Sequence, residues 1–239
     1  MMDKEGYTHH ISQQFNQELD DIKSRMLEMG GMVQEQVNVA VSSILSLDSG
    51  LAENVIAADK KINYMEVEID DDCSKILARR QPAASDLRMI LAISKSLSDL
   101  ERIGDEASKI AKQAIQLSES GVNPKESIEI RRIGNHVCGM LGDALNAFAR
   151  LDADAALTVA KEDKIVDQEY GSALRSLVTY MMEDPRCISN SLNIMWSLRS
   201  LERVGDHARN IAEYVIYLVK GQDVRHVGLK EMAERVQSD

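Results

Sequence analysis

Apolar residues recur at steps of three and four along most of this chain, which is the spacing of one face of an α-helix. The pattern continues without a break from Phe15 to Leu47, and this predicts one long amphipathic helix. No segment shows the regular apolar and polar alternation of a half-buried β-strand. The chain is therefore predicted to be all-α.

Turn signals divide the pattern into six long helices. Asp48 or Ser49 is placed to cap the second helix and Asp152 the fifth. Pro82 and Pro185 end the second and fifth helices, because the residue before a proline is pushed out of the helical region. A further break falls between Gly121 and Pro124. The predicted architecture is two tandem three-helix bundles with internal pseudo-symmetry, over residues 1–120 and 121–221, followed by a polar tail over residues 222–239. Apolar residues in this tail allow a short helix, but a frayed end is expected; they are Leu229, Met232, Ala233 and Val236.

A twelve-residue phrase that occurs twice supports the division into two similar halves. Residues 100–111 read LERIGDEASKIA and residues 201–212 read LERVGDHARNIA. Both copies carry a Glu and an Asp four residues apart, which is about one helical turn, so each pair projects from one face. The middle helix of each half carries matching polar residues at the same height, counted from the proline turn. Two four-residue clusters are therefore predicted: Asp59, Asn63, Glu101 and Asp105 in the first bundle, and Asp163, Asp167, Glu202 and Asp206 in the second.

These clusters have three interpretations. They can be solvated helix faces, or Arg102 and Arg203 can fold back on them as ion-pair partners. They can also bind a hard cation such as Mg²⁺, Mn²⁺ or Fe³⁺, which prefers oxygen ligands. Asn63 carries no charge, so weaker cation binding is expected in the first bundle.

Composition narrows the classes of function. The net charge of −11 argues against nucleic-acid binding, which needs a basic face, and suits a cation or a basic partner. The three cysteines form no CxxC pair, so we expect a cytoplasmic protein without disulfides. The long uncharged runs over residues 36–47 and 187–198 are too short to span a bilayer. No membrane insertion is expected.

Catalytic motifs are missing from the sequence. It contains no Glu-x-x-His pair, phosphate-binding glycine loop, nucleophile elbow or HExxH zinc motif. His207 adjoins the second cluster, but Glu106 takes its place in the first copy, so an exposed helix position is expected for it. Trp196 is expected in the core or in an interface. The chain is predicted not to be an enzyme.

A group of charged residues flanks the turn at Pro82 and has two interpretations. Basic residues at a helix C-terminus offset the helix dipole. The alternative is a surface for docking a partner at the tip of the hairpin. The residues are Arg79, Arg80, Asp86 and Arg88.

Taken together, ordered motifs over residues 9–228 resemble the PhoU family of bacterial phosphate-signalling regulators. In the first half they are HISQQFNQEL, MGGMV, DKKINYMEVEID, RRQPAASDLR and LERIGD. In the second half they are EDKIVDQEY, TYMMED, LERVGDHARNIAEY and VKGQDVRHVG. The resemblance implies two three-helix bundles, a homodimer, and metal binding (Fe, Mn, Mg or Zn) at E(D)xxxD motifs, which here are the two clusters named above.

The resemblance also implies a role. The protein is expected to be a cytoplasmic negative regulator of the phosphate-starvation response, an adaptor that restrains phosphate uptake. Its expected partners are the ATP-binding subunit of the phosphate ABC transporter and the sensor histidine kinase of the phosphate two-component system. The alternatives are a metal-binding or metal-storage protein, a metal-dependent enzyme, and a helical scaffold whose acidic residues only solvate it.

Overall fold

The computed structural model describes residues 4–120 and 127–237, and side chains from residue 13 onward in α1 and from residue 128 in α4. These residues form seven α-helices and a 3₁₀ turn at Pro185–Cys187, with no strand among them, which confirms the all-α prediction. The break expected at residues 121–124 lies outside the described residues. The helices are α1 Lys4–Ser46, α2 Ser49–Arg80, α3 Ala84–Ser120, α4 Ser127–Arg150, α5 Ala153–Glu183, α6 Ile188–Lys220 and α7 Leu229–Gln237.

The same turn connects α1 to α2 and α4 to α5. Leu47 and Leu151 both adopt left-handed backbone angles, with φ of 52° and 55°. The aspartate that follows each leucine then caps the next helix: the Asp48 side chain accepts a hydrogen bond from the Leu51 N–H at 3.1 Å, and Asp152 accepts one from the Ala155 N–H at 2.9 Å. Both caps satisfy an amide that the first helical turn leaves unpaired, and the capping prediction is confirmed.

The third helix of each half lies at the centre of the molecule. Helices α1 and α2 pack against α3, and α4 and α5 pack against α6. Helices α3 and α6 also pack extensively against each other, and α1 contacts α4. Apolar positions of all these helices form one core, with fully buried residues such as Leu100 and Leu201 in the repeated phrase. The two motifs that carry the Glu–Asp pairs are therefore held on the best-buried helices.

Two glycines allow α1 and α4 to cross closely. A Cβ at Gly30 would lie 2.5 Å from Leu145 Cδ2, and one at Gly134 would lie 2.8 Å from Val41 Cγ2. Gly30 and Val41 in α1 occupy the places that Gly134 and Leu145 have in α4, so the two contacts are related by the internal pseudo-symmetry. A branched side chain fills each space that a missing Cβ leaves.

One expectation about the periphery is wrong and another is narrowed. The tail is not frayed, because Met232 and Val236 lie at helical spacing and are buried where α7 packs against α5. Trp196 is 52% exposed on α6, which excludes the core for it, and its place in an interface stays a prediction. Within residues 4–120 and 127–237, no helix is long and apolar enough to cross a membrane.

Candidate functional site

The first acidic cluster forms where α2 passes Gly104 of α3. A Cβ at Gly104 would lie 3.4 Å from Asp59 Oδ1 on α2 and 3.2 Å from Gln36 Oε1 on α1. Gly104 lies between Glu101 and Asp105 in the repeated phrase. The glycine of the motif therefore leaves space for the Asp59 carboxylate between the two acidic residues of α3.

Hydrogen bonds and charge repulsion show which side chains share this cluster. Asn63 Nδ2 donates to Asp59 Oδ2 at 3.4 Å. Burial raises the pKa of the Glu101 carboxyl, and the neighbouring charges of Asp105, Glu66 and Asp59 raise it further. Glu66 of α2 is not among the four residues predicted for this cluster. The structure adds it as a fourth carboxylate.

The second cluster contains the predicted carboxylates, but two arginines have entered it. Arg209 Nη1 donates to Asp163 Oδ2 at 2.9 Å, and the Asp163 side chain is only 5% exposed. Arg209 Nε donates to Glu213 Oε1 at 2.9 Å. Arg199 Nη1 donates to Glu202 Oε1 at 2.6 Å. Part of the negative charge in the second bundle is thus neutralised by the chain itself.

Repulsion nevertheless remains among the acids of the second cluster. Burial raises the pKa of Asp206, and the charges of Asp163 and Asp167 add to the shift. Burial likewise raises the pKa of Glu202, with Asp206 as the next cause, while Arg199 acts in the opposite direction. All four predicted carboxylates of this bundle therefore lie within electrostatic reach of one another.

The arginines involved are not the ones that the sequence suggested. Arg203 lies 3.7 Å from Glu106 Oε1 on α3 and makes no hydrogen bond to its own cluster, although its charge opposes the burial that raises the pKa values of Glu202 and Asp206. Among the described residues Arg102 makes no hydrogen bond or ion pair. Arg199 and Arg209 take this role because they lie one helical turn before and after the acidic pair.

Oxygen atoms without partners fit a hard cation in both clusters. Glu202 Oε2, Asn63 Oδ1 and Gln36 Oε1 are buried and have no hydrogen-bond partner. Within the described ranges, however, no three His, Cys, Asp or Glu side chains are arranged as a complete metal site. The first cluster gains the carboxylate of Glu66, whereas two arginines reduce the negative charge of the second. This balance of charge argues against the expectation of weaker cation binding in the first bundle. Cation binding itself stays a prediction.

The expectation that His207 is exposed is wrong. It is 3% exposed, and its Nδ1 lies 2.7 Å from Asp99 Oδ1 on α3. Asn210 Nδ2 and the Tyr214 hydroxyl donate to the same carboxylate at 3.0 and 2.9 Å. Position 207 was compared only with Glu106, which is itself buried. The repeat gave no sign that α6 would supply three partners to one buried aspartate of α3.

The charged residues at the α2–α3 turn are partly structural. Arg80 donates two hydrogen bonds to Glu18 of α1, at 3.0 and 2.6 Å. Arg79 is exposed in the last turn of α2, and Asp86 lies in the first turn of α3. The Arg88 guanidinium lies near Gly221, at the C-terminal end of α6. Arg79 is therefore the most accessible cation for docking a partner, a role that stays a prediction.

Comparison with known proteins finds one family along most of the chain. The PhoU domain family model matches residues 26–114 and again residues 130–215. The chain is 63% identical to the phosphate-specific transport system accessory protein PhoU homolog of Pseudomonas aeruginosa, over 100% of this chain and 99% of that protein. It is 47% identical to the phosphate-specific transport system accessory protein PhoU of Escherichia coli strain K12, over 97% of this chain and 95% of that protein.

Two crystal structures have the same fold. PhoU from Pseudomonas aeruginosa, 63% identical, superposes with a TM-score of 0.85 over 87% of this chain and 100% of the other. The phosphate transport system regulatory protein PhoU from Streptococcus pneumoniae, 33% identical, superposes with a TM-score of 0.81 over 88% of this chain and 99% of the other. The fold is thus shared by relatives of widely different sequence.

Proposed function

The chain belongs to the PhoU family, and on that basis we propose that it is a negative regulator of the phosphate-starvation response. It couples the ATP-binding subunit of the phosphate ABC transporter to the sensor histidine kinase in the cytoplasm. When phosphate is plentiful it favours the dephosphorylating state of the kinase and restrains uptake. An adaptor of this kind acts by shifting the conformational populations of its partners and not by turnover.

The observation that carries this proposal is the match over nearly the full length of proteins named as transport-system accessory proteins. The name of the Streptococcus pneumoniae structure adds a regulatory role. Those names describe accessory and regulatory proteins, which favours a function other than catalysis. We further propose that the chain acts as a homodimer, which sedimentation of the purified protein would test.

Deleting the gene tests the regulatory role. Alkaline phosphatase expression in phosphate-rich medium is expected to rise in the deletion strain and to return to the basal level when the wild-type gene is restored. Unchanged phosphatase expression in the deletion strain would contradict the proposal.

A pull-down tests the coupling of two partners. The purified chain is expected to retain both the transporter ATPase subunit and the cytoplasmic part of the kinase. Arg79→Glu at the α2–α3 turn is expected to weaken one of these interactions, whereas Arg131→Glu on the exposed face of α4 serves as the matched control. If the Arg79→Glu variant retains both partners as well as the wild type does, this turn is not part of the docking surface.

We also propose that the acidic clusters bind hard divalent or trivalent cations, supported by the unpartnered oxygens of Glu202 and Asn63. Asp59, Glu101 and Asp105 in the first bundle, and Asp163, Asp167 and Asp206 in the second, would supply the remaining ligands. Burial raises the pKa values of Glu101 and Asp206 most, and a cation would offset the repulsion between carboxylates that adds to these shifts.

A calorimetric titration with manganese distinguishes binding at the two clusters. We expect the Glu101→Gln/Asp105→Asn variant to lose the tighter binding event, because among the described residues no arginine is hydrogen-bonded to the first cluster, whereas Arg199 and Arg209 bond to the second. The Glu202→Ala/Asp206→Ala variant is expected to lose only the weaker event and to keep its helicity. If manganese binding is unchanged in both variants, the clusters are not the cation sites.

A further inference from the structure

A basic cleft lies between α3, α6 and the segment that follows α6. It has a volume of about 560 Å³. Its four arginines are Arg102 on α3, Arg203 and Arg209 on α6, and Arg225 in the segment between α6 and α7. We call this space the arginine cleft.

The arginine cleft concentrates basic side chains within an acidic protein. Four arginines line it, against the two carboxylates of Asp206 and Glu213, although the net charge of the chain is −11. Glu213 is already paired with Arg209, and Arg225 is paired with Asp223 outside the cleft. Arg203 contacts Glu106 only at 3.7 Å, and Glu106 has a closer partner in Lys109 at 2.9 Å. Arg102 and Arg203 are therefore the lining arginines that no carboxylate of the described residues holds by a hydrogen bond, and Asp206 is the carboxylate that a bound anion would also face.

His207 lines the same cleft and has one nitrogen without a partner. Its Nδ1 lies 2.7 Å from Asp99 Oδ1, and a carboxylate can only accept, so Nδ1 is the donor of this pair. In the neutral tautomer that this pairing selects, Nε2 is an acceptor, and it is buried without a hydrogen-bond partner. A buried acceptor that is left unpaired costs free energy. The arrangement therefore calls for a ligand that also donates a hydrogen bond.

We propose that the arginine cleft binds phosphate in a protonated form. Its anionic oxygens accept from the guanidinium groups of Arg102 and Arg203, which suit oxyanions through their forked donors. Its remaining O–H donates to His207 Nε2. Sulfate has the same shape but no O–H at neutral pH, and a doubly ionised phosphate monoester has none either, so inorganic phosphate fits the donor and acceptor pattern best.

The position of the cleft would connect phosphate to the contact between the two bundles. His207 and Tyr214 line it and also bind Asp99, so the ligand and the link between α3 and α6 share the same side chains. This inference does not rest on the proposed regulatory role, because binding is measured with the purified chain alone.

Calorimetry with the full-length chain tests the site, using inorganic phosphate, sulfate and adenosine monophosphate as separate titrants. Phosphate is expected to bind and to exceed sulfate and the nucleotide in affinity by about tenfold, the range of one hydrogen bond to a charged group. Arg102→Ala/Arg203→Ala is expected to abolish phosphate binding. Arg131→Ala/Arg175→Ala, which removes two exposed arginines of α4 and α5, is the matched control and is expected to bind as the wild type does.

Two further variants keep the test decisive. Arg102→Ala alone removes an exposed side chain without a partner among the described residues, so it should fold normally and weaken phosphate binding. His207→Asn keeps a donor toward Asp99 but removes Nε2, and it is expected to equalise phosphate and sulfate. The proposal is overturned by absence of phosphate binding at millimolar concentration, by equal affinity of the wild type for sulfate, or by unchanged binding in the Arg102 variants.

Discussion

The two acidic clusters occupy equivalent places but balance their charge in different ways. At the positions one turn before and after the Glu–Asp pair, the first bundle has Ser98 and Ser108, whereas the second has Arg199 and Arg209. Ser108 is buried and its hydroxyl has no partner, while Arg209 binds the buried Asp163. The carboxylates of the clusters are thus nearly the same in both halves, and the cations that face them differ.

The two clusters therefore depend on different sources of positive charge. The second cluster is partly neutralised by its own arginines and depends on them, because Asp163 is out of contact with water. The first cluster has four carboxylates in half-buried positions and no arginine bonded to them. It therefore has more to gain from an external cation.

Removing Arg209 is expected to produce the largest effect on stability. Arg209→Ala leaves the Asp163 carboxylate buried without its partner, and breaking a buried pair in this way costs several kcal/mol. Since Arg209 is itself 30% exposed, we expect a loss of about 2 kcal/mol in the free energy of unfolding. Urea denaturation measures this loss.

The matched change in the first bundle is Ser108→Ala, which removes a hydroxyl that has no partner. It is expected to change the free energy of unfolding by less than about 0.5 kcal/mol. Equal losses for the two variants would show that the clusters are not balanced differently.

Much of the fold was predictable from short-range signals in the sequence. Pro82 and Pro185 mark helix ends whatever surrounds them, because the proline ring acts on the residue before it. Asp48 and Asp152 cap helices through hydrogen bonds that reach only three residues along the chain. The repeat then required the second half to fold like the first.

The partners of long side chains were not predictable in the same way. Arg199, Arg203 and Arg209 all lie within one or two turns of Glu202, and their flexible stems can reach several acids. Packing across α3 and α6 decides which one is bonded. The burial of His207 likewise depends on Asp99, which is 108 residues away in the chain. Neither pairing leaves a signal in local spacing.

The helix caps provide a prediction of intermediate size. Asp48→Ala and Asp152→Ala each remove a hydrogen bond to a first-turn amide, and each is expected to lower the free energy of unfolding by about 1 kcal/mol. Urea denaturation of the two variants, with Asp154→Asn as a control for the loss of a nearby charge, measures both costs. If the two variants lose different amounts of unfolding free energy, the two turns share a structure but do not contribute equally to stability.

The dependence of stability on pH is expected to be similar in size to the loss of one helix cap. The pKa values of Glu101, Glu202 and Asp206 are raised by burial and by neighbouring carboxylates. Between their ordinary values near 4 and their raised values, the folded state binds more protons than the unfolded state, so stability falls as pH rises. Lowering the pH from 7 to about 5 in the presence of a chelator is therefore expected to raise the melting temperature by a few degrees.

Below this window the sign reverses. The Arg225 side chain lowers the pKa of Asp223 to about 2, and Arg25 lowers that of Asp72, so their stabilising contribution is lost as pH falls through those values. Two double variants test this assignment: Glu101→Gln/Asp105→Asn and Glu202→Gln/Asp206→Asn. In both, the rise of the melting temperature between pH 7 and 5 should be smaller than in the wild type. The first variant should flatten it more, because Arg102 alone opposes the raised pKa of Glu101, whereas Arg199 and Arg203 both oppose that of Glu202. A melting temperature of the wild type that falls steadily from pH 7 downward would contradict the assignment of repulsion to these clusters.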